Sequence, residues 1–329
     1  MHSHHSHSGS FCKHAAGTLE EVVLEAIKKG FKIYGLSEHV PRYRERDLYP
    51  EEKRFGVENL GKQFDAYVAE AQRLKEAYAD KITLLVGAET DFITDLDYSA
   101  LHSLLDKHGD HIEYLVGSVH HVNEQPIDFD RDTWQQCLSS FSAAPADGMD
   151  LDGLDEGEPP YTAYLSSYFD SQFTFMERFR PEVIGHFDLC RLYVPLMRLN
   201  NPKYEGVWAK VERNIDFAIG YGACFELNAA AFRKGWKDAY PGEDVLKLII
   251  SKGGRLCLSD DSHGPSAVGL NFHLLYDYMV RMGVRDLWYL ERHDERNVAG
   301  RKVRAVQYNG DWQEDPFWSQ FGPELERGL

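Results

Sequence analysis

Short apolar runs alternate with amphipathic stretches along nearly the whole chain, and this alternation restricts the fold more than any other feature. The runs "FKIYGLSEH" (31–39), "KITLLVGAETDF" (81–92), "IEYLVGSVHH" (112–121), "EVIGHFD" (182–188), "GACFELN" (222–228), "GRLCLSDDSH" (254–263) and "DLWYLE" (286–291) read as strands. Between them, stretches such as "EEVVLEAIKKG" and "GEDVLKLIISKGG" repeat apolar residues at a spacing near 3.6, with Gly or Asp at their ends, as surface helices do. Strand and helix in alternation imply a parallel sheet, and this many units implies closure into a barrel. The expectation is one α/β domain over residues 1–329. One segment departs from the pattern: "AAPADGMDLDGLDEGEPP" (143–160) is acidic, rich in Gly and Pro, and lacks apolar periodicity. It reads as a loop inserted in the domain, because motifs of one type stand on both sides of it.

Composition narrows the function. Apolar residues at 43% and charged residues at 27% describe an ordinary globular protein. No run approaches the roughly 18 apolar residues of a membrane span, and the start lacks the basic-then-apolar order of a signal peptide, so a cytoplasmic protein without a membrane partner is expected. The five cysteines are scattered without a C-x-x-C pair, which indicates neither a disulfide framework nor a zinc ribbon; they read as reduced thiols, mostly in the core. A formal charge of −17 argues against a nucleic-acid partner, since a phosphate backbone requires clustered Lys and Arg. Bound cations reverse such a field locally, so a small phosphate remains admissible.

The strand ends carry the chemistry. Strand 31–39 closes on Glu38-His39, 81–92 carries Glu89, 112–121 ends in His120-His121, 182–188 holds His186 and Asp188, and 254–263 runs out through Asp261 and His263. In a parallel barrel the C-terminal ends of all strands open on one face, so these residues are expected to converge. The N-terminal stretch "MHSHHSHSGSFCKH" then gains a meaning beyond an affinity-tag remnant or a solvated tail. Residues i and i+2 of an extended segment share a side, so His5 and His7 present two imidazoles to one cavity, as do Asp261 and His263 at the other end of the chain. Nitrogen and carboxylate donors without thiolates suit Zn, Fe or Mn.

Each residue also has a plainer reading. A single histidine at a strand end is commonly a hydrogen-bonded structural residue, and His2 and His4 compete with His5 and His7 for the His-x-His role. His102, His108, His111, His273 and His293 fall on polar helical or surface stretches. The joint pattern favours a multinuclear metal site, because burying so many ionisable groups without a cation is costly.

With these residues assembled, the chain resembles the PHP (polymerase and histidinol phosphatase) metallohydrolases, and among them the fungal-type histidinol-phosphate phosphatases. The resemblance rests on "HSHSGSFCKHAAGT", "GLSEHVPR", "LLVGAETDF", "YLVGSVHHVNEQPIDFD", "VIGHFDL", "FELNAAAFRK", "YPGEDVLKLI", "LSDDSHGPSAVG" and "DPFW", which follow in order over most of the chain. It implies a distorted (β/α)7 barrel with up to three divalent or mixed-valence ions at the C-terminal strand ends. It assigns His5, His7, Glu89 and Asp261 to one ion, Glu89, His120 and His186 to a second, and His14, His39 and His263 to a third. The segment from His7 to His14 is one residue longer than in many bacterial members.

The implied reaction is hydrolysis of L-histidinol phosphate to L-histidinol and phosphate in histidine biosynthesis. A metal cluster answers the two difficulties of a phosphate monoester by generating hydroxide near neutral pH and neutralising the phosphoryl oxygens. Glu89 is suited to bridge two ions, and a bridging hydroxide is expected to attack phosphorus in line. The departing alcohol takes its proton from a bound water or from Asp261 and His263. Arg191 and Arg233, and less directly Arg42, are candidates for the phosphate, whose oxygens match the guanidinium fork; each reads otherwise as a solvated surface charge. Glu226 and Asn228 share a strand face and are candidates for the imidazole and amino group. A nucleotide or other small phosphate ester is the alternative substrate, and a non-enzymatic metal-binding protein is the alternative class.

Overall fold

The computed structural model describes residues 1–142 and 159–321, so the insertion expected at 143–160 lies, except for its last two residues, outside the described residues. Seven short strands form one sheet: β1 (His2–Ser3), β2 (Ile33–Leu36), β3 (Thr83–Glu89), β4 (Tyr114–Gly117), β5 (Val183–Ile184), β6 (Cys224–Asn228) and β7 (Arg255–Ser259). They are hydrogen-bonded in that order, every pair parallel. The two edges meet, since the His4 N–H donates to the Leu258 carbonyl at 3.2 Å. One step further along, Ser6–His7 pairs in parallel with Ser262–His263. The expected α/β barrel of seven units is therefore present, and at its mouth the sheet edges are joined by the two segments carrying the H-x-H and D-x-H pairs.

Helices cover the outside of the sheet, which leaves the strands buried on both faces and explains why they read as continuous apolar runs. Leu84, Leu85 and Val86 of β3 are all buried. The first helix, Leu19–Lys28, starts at a capping box in which Thr18 and Glu21 bond each other's backbone N–H, worth about 1 kcal/mol, and it buries Leu19, Val22, Val23 and Ala26. Two glycines in the strand motifs make room inside the barrel. A Cβ on Gly35 falls 2.1 Å from the Tyr114 hydroxyl oxygen, and one on Gly87 falls 2.5 Å from the Tyr114 ring. Tyr114 lies across both and donates its hydroxyl to the His4 carbonyl at 2.8 Å, which ties the N-terminal segment into the interior.

The run 286–291 does form a strand, Trp288–Arg292, but outside the barrel sheet. It pairs antiparallel with Val303–Gln307, and Leu290 and Val303 pack against Leu85, Val116, Val183, Cys224 and Cys257. The reason is local: after "DLWYLE" comes a polar turn around Asn297 and Gly300, and a parallel return requires a crossover of a dozen or more residues, usually a helix. Among the described residues, no helix is long and apolar enough to cross a membrane.

Candidate metal centre

The loops and strand ends at the barrel mouth bring the expected side chains together around Glu89. Its Oε1 lies 3.2 Å from His5 Nε2, 3.2 Å from His120 Nε2 and 3.1 Å from His186 Nε2. Its Oε2 lies 3.2 Å from His7 Nε2 and 2.9 Å from His39 Nδ1. One carboxylate thus faces five imidazoles, three on one oxygen and two on the other. Asp261 adds an oxygen 3.7 Å from His5 Nε2 and 3.6 Å from His7 Nε2. Asp261 takes a positive φ of 46°, and its turn is held by Arg233, which donates to the carbonyls of Asp260 and Asp261 at 2.9 and 2.7 Å. Asn228 Nδ2 adds a bond to the Asp261 carboxylate at 3.2 Å.

The donor atoms sort into overlapping groups, within each of which they lie no more than 4.8 Å apart: His5, His7 and Asp261; His7, His39 and Glu89; Glu89, His120 and His186; and Cys12, His14, His39 and His263. The other eight histidines join none of them: His2, His4 and His121, and the five on polar stretches, His102, His108, His111, His273 and His293. A further layer of partners fixes the rings. Glu226 bonds His5 Nδ1 at 3.0 Å and accepts from the His186 backbone N–H and from Asn228. Glu38 accepts from the Ser8 N–H and hydroxyl, with its second oxygen 3.6 Å from His7 Nδ1. Orienting an imidazole through its second nitrogen is how metal-binding histidines are held.

Burial works against charge on all of these groups, and the neighbours decide the outcome. For Glu89, burial is outweighed by His5, His39 and His120, which hold its carboxyl well below the usual range. For His5, burial is outweighed by Glu89, Asp261 and Glu226, and its pKa rises well above the ordinary value. His7, buried but facing Glu38 and Glu89, is raised to about 9, and His120 is raised by Glu89 and Asp128. At the rim, burial prevails: His39 is pushed well below its usual value, His14 to about 4 and His263 to about 3, the last two also repelled by His7. Without a cation, the rim imidazoles therefore favour the neutral form near pH 7, while His5, His7 and His120 favour the protonated one.

The residues fit divalent cations. His5 Nε2, both ring nitrogens of His7 and of His39, and Glu38 Oε2 are buried without a hydrogen-bond partner in the protein. Leaving so many polar atoms unmatched is costly, and imidazole with carboxylate is the donor set of Zn, Fe and Mn. An open cleft of about 420 Å³ stands over the cage, with Tyr49, Asp128, Phe129, Arg233, Lys234 and Tyr240 among its walls.

The three arginines separate. Arg233 lines the cleft, half-buried. Arg191 does not: it is 1% exposed, with its guanidinium bonded to Asp188 and the Met197 carbonyl and 3.0 Å from Asp244. Asp188 is consumed in the same clamp and takes no part in the cage. Arg42 is buried against Glu52 at 2.8 Å and covers the Tyr49 ring at 4.0 Å. Cys12 had no ligand signature in the sequence, yet its Sγ lies 3.2 Å from His14 Nε2. Glu226 and Asn228 lie behind His5 and Asp261 as their partners. His2 and His4 bond the backbone N–H groups of Leu258 and Leu290 instead of facing Glu89.

Known proteins resemble the chain over most of its length. The PHP domain family matches residues 3–230. A Schizosaccharomyces pombe protein named "Probable histidinol-phosphatase" is 44% identical over 311 residues, covering 94% of this chain and 95% of the relative. The Saccharomyces cerevisiae histidinol-phosphatase is 31% identical over 353 residues, covering 97% and 99%. A crystal structure of the Lactococcus lactis histidinol phosphate phosphatase, complexed with Zn, L-histidinol and phosphate, superposes with a TM-score of 0.60 at 19% identity, covering 87% of this chain and 95% of that one.

Proposed function

From the premise that this chain belongs to the PHP family, we propose that it is a metal-dependent phosphatase that hydrolyses L-histidinol phosphate to L-histidinol and inorganic phosphate. The observation that carries the reading is the double-sided use of Glu89, with three imidazoles on one oxygen and two on the other at the floor of an open cleft. The relatives that match nearly end to end carry the same activity in their names.

Up to three ions of Zn, Fe or Mn are held, one by His5, His7, Glu89 and Asp261, one by Glu89, His120 and His186, and one by His14, His39 and His263. When bound, such cations acidify water near neutral pH and neutralise the charge of the phosphoryl oxygens. The chain's own residues do the rest. Glu226 keeps the His5 ring in register through Nδ1. His263 turns Nδ1 toward the Asp261 carbonyl, 3.0 Å away, which leaves Nε2 for the cage. Arg233 and Lys234 put positive charge on the cleft wall where the phosphate enters, and Asp261, an ionised carboxylate, stands with neutral His263 beside the cage, so the departing alcohol takes its proton from water. Arg191 and Arg42 act through the loops they brace and not on substrate.

Phosphate release from histidinol phosphate, a nucleoside monophosphate and phenyl phosphate, each with and without chelator, tests the reading. A strong preference for histidinol phosphate that chelator abolishes is expected. Equal or better turnover of the nucleotide would replace the substrate and keep the hydrolase.

A further inference from the structure

Among the described residues, Asp128 is the acidic side chain of the cleft that belongs to no ligand group and pairs with none of its imidazoles, its charge reaching His120 only at longer range. Four acidic residues line the cleft: Glu51, Glu89, Asp128 and Asp261. Glu89 and Asp261 face the imidazoles, and Glu51 stands 3.8 Å from His14 Nδ1. Asp128 forms no ion pair with a described residue, and its Oδ1 is buried without a hydrogen-bond partner.

Its position follows from the chain path. The two-residue strands His121–Val122 and Gln125–Pro126 pair antiparallel, and the Ile127 N–H donates to the His120 carbonyl at 2.9 Å. Asp128 therefore comes next to the segment that carries His120 into the cage. Beside it Phe129 stacks on Tyr49, with ring centroids 5.2 Å apart and planes at 14°. These groups lie on loops following β2 and β4, while Arg233 and Lys234 lie after β6, further round the ring. The cleft thus has a basic sector and an acidic, aromatic sector, both opening on the cage.

A plain phosphate monoester uses only the first sector. The alcohol half of histidinol phosphate carries an ammonium group and an imidazole within a few bonds of the phosphorus, so it presents a cation and a flat ring together. A carboxylate with a free buried oxygen beside an aromatic stack is complementary to that pair. We infer that Asp128 is the residue that selects the substrate, accepting a hydrogen bond from a protonated nitrogen of the alcohol half while the Tyr49–Phe129 stack lies alongside. This rests on the function proposed above, and it assigns to Asp128 the recognition that sequence reasoning sought in Glu226 and Asn228.

The test compares two substrates on the Zn-loaded protein. For Asp128→Asn, kcat/KM on histidinol phosphate should fall about ten- to a hundredfold, the worth of one charge-assisted hydrogen bond, mainly through KM. On phenyl phosphate it should change by less than about threefold, metal content should match the parent, and Asp128→Glu should recover much of the loss. An equal fall on both substrates, or none on histidinol phosphate, overturns the inference. If the parent protein itself does not prefer histidinol phosphate to phenyl phosphate, the function reading is what fails, and the two results cannot be confused.

Discussion

Two pairs of histidines, adjacent in the chain and equally buried, do opposite things. His2 and His4 point down into the barrel, where their Nε2 atoms accept the backbone N–H groups of Leu258 and Leu290, each at 2.9 Å. His5 and His7 point up into the cage, against Glu89 and Asp261. Burial alone drives the His4 pKa down to about 3, while the carboxylates around His7 overcome the same burial and raise it to about 9. An imidazole is thus a neutral hydrogen-bond acceptor or the partner of buried carboxylates according to what surrounds it, and the chain passes from one to the other between His4 and His5. Alternation explains the pairing within each set; the change of face between them is set by the close of β1 and the separate pairing of Ser6–His7 with Ser262–His263.

The sharpest way to break this contrast is to remove the group on which the upper pair converges. Glu89→Gln should lower kcat by about a thousandfold or more, as loss of a principal electrostatic group does, and elemental analysis should find fewer ions per chain. Next come the two pairs themselves. His5→Ala should lose metal and turnover while urea unfolding of the metal-free protein shifts modestly. His4→Ala leaves the Leu290 N–H unmatched beside a cavity, and should cost about 2–4 kcal/mol of stability while the folded fraction still binds metal. If both variants lose metal equally, the division between the pairs is wrong.

Smaller effects refine the comparison. Glu226→Gln should weaken metal binding roughly 10–100-fold by loosening His5. The pH dependence of the metal-free fold should carry both signs. The folded pKa of His4 is depressed from 6.5 to about 3, so its contribution is present above pH 6.5 and is lost as pH falls toward 3. The folded pKa of His7 is raised from 6.5 to about 9, so its contribution is present below 6.5 and is lost as pH rises through 9. Urea midpoints measured against pH should therefore flatten on the acid side in His4→Gln and on the alkaline side in His7→Gln.

The same contrast shows what could be read without coordinates. Glu89, His120, His186, Asp261 and His263 were legible because each closes or follows an apolar run, and a parallel barrel sends all such ends to one mouth. The choice between His2/His4 and His5/His7 was not, because both pairs satisfy the spacing and only the register of β1 separates them. Cys12 escaped because a lone cysteine near apolar Phe11 reads as core; its approach to His14 depends on a loop path that no periodicity encodes. Arg191 misled because following a strand end says nothing of where a long side chain turns, and here Asp188 and Asp244 draw it inward. The strand at Trp288–Arg292 was visible as a strand, but its partner was set by the turn after it.

On the proposed function, imidazoles and carboxylates gathered at one barrel mouth hold the cations that make the cleft a phosphatase. The most direct measurement strips the protein with chelator, adds Zn²⁺ in known ratio, and follows phosphate release from histidinol phosphate. Activity should be absent in the stripped protein, rise with added metal and saturate at no more than about three ions per chain, the number that the proposed ligand sets imply. Full turnover by the stripped protein would contradict the account.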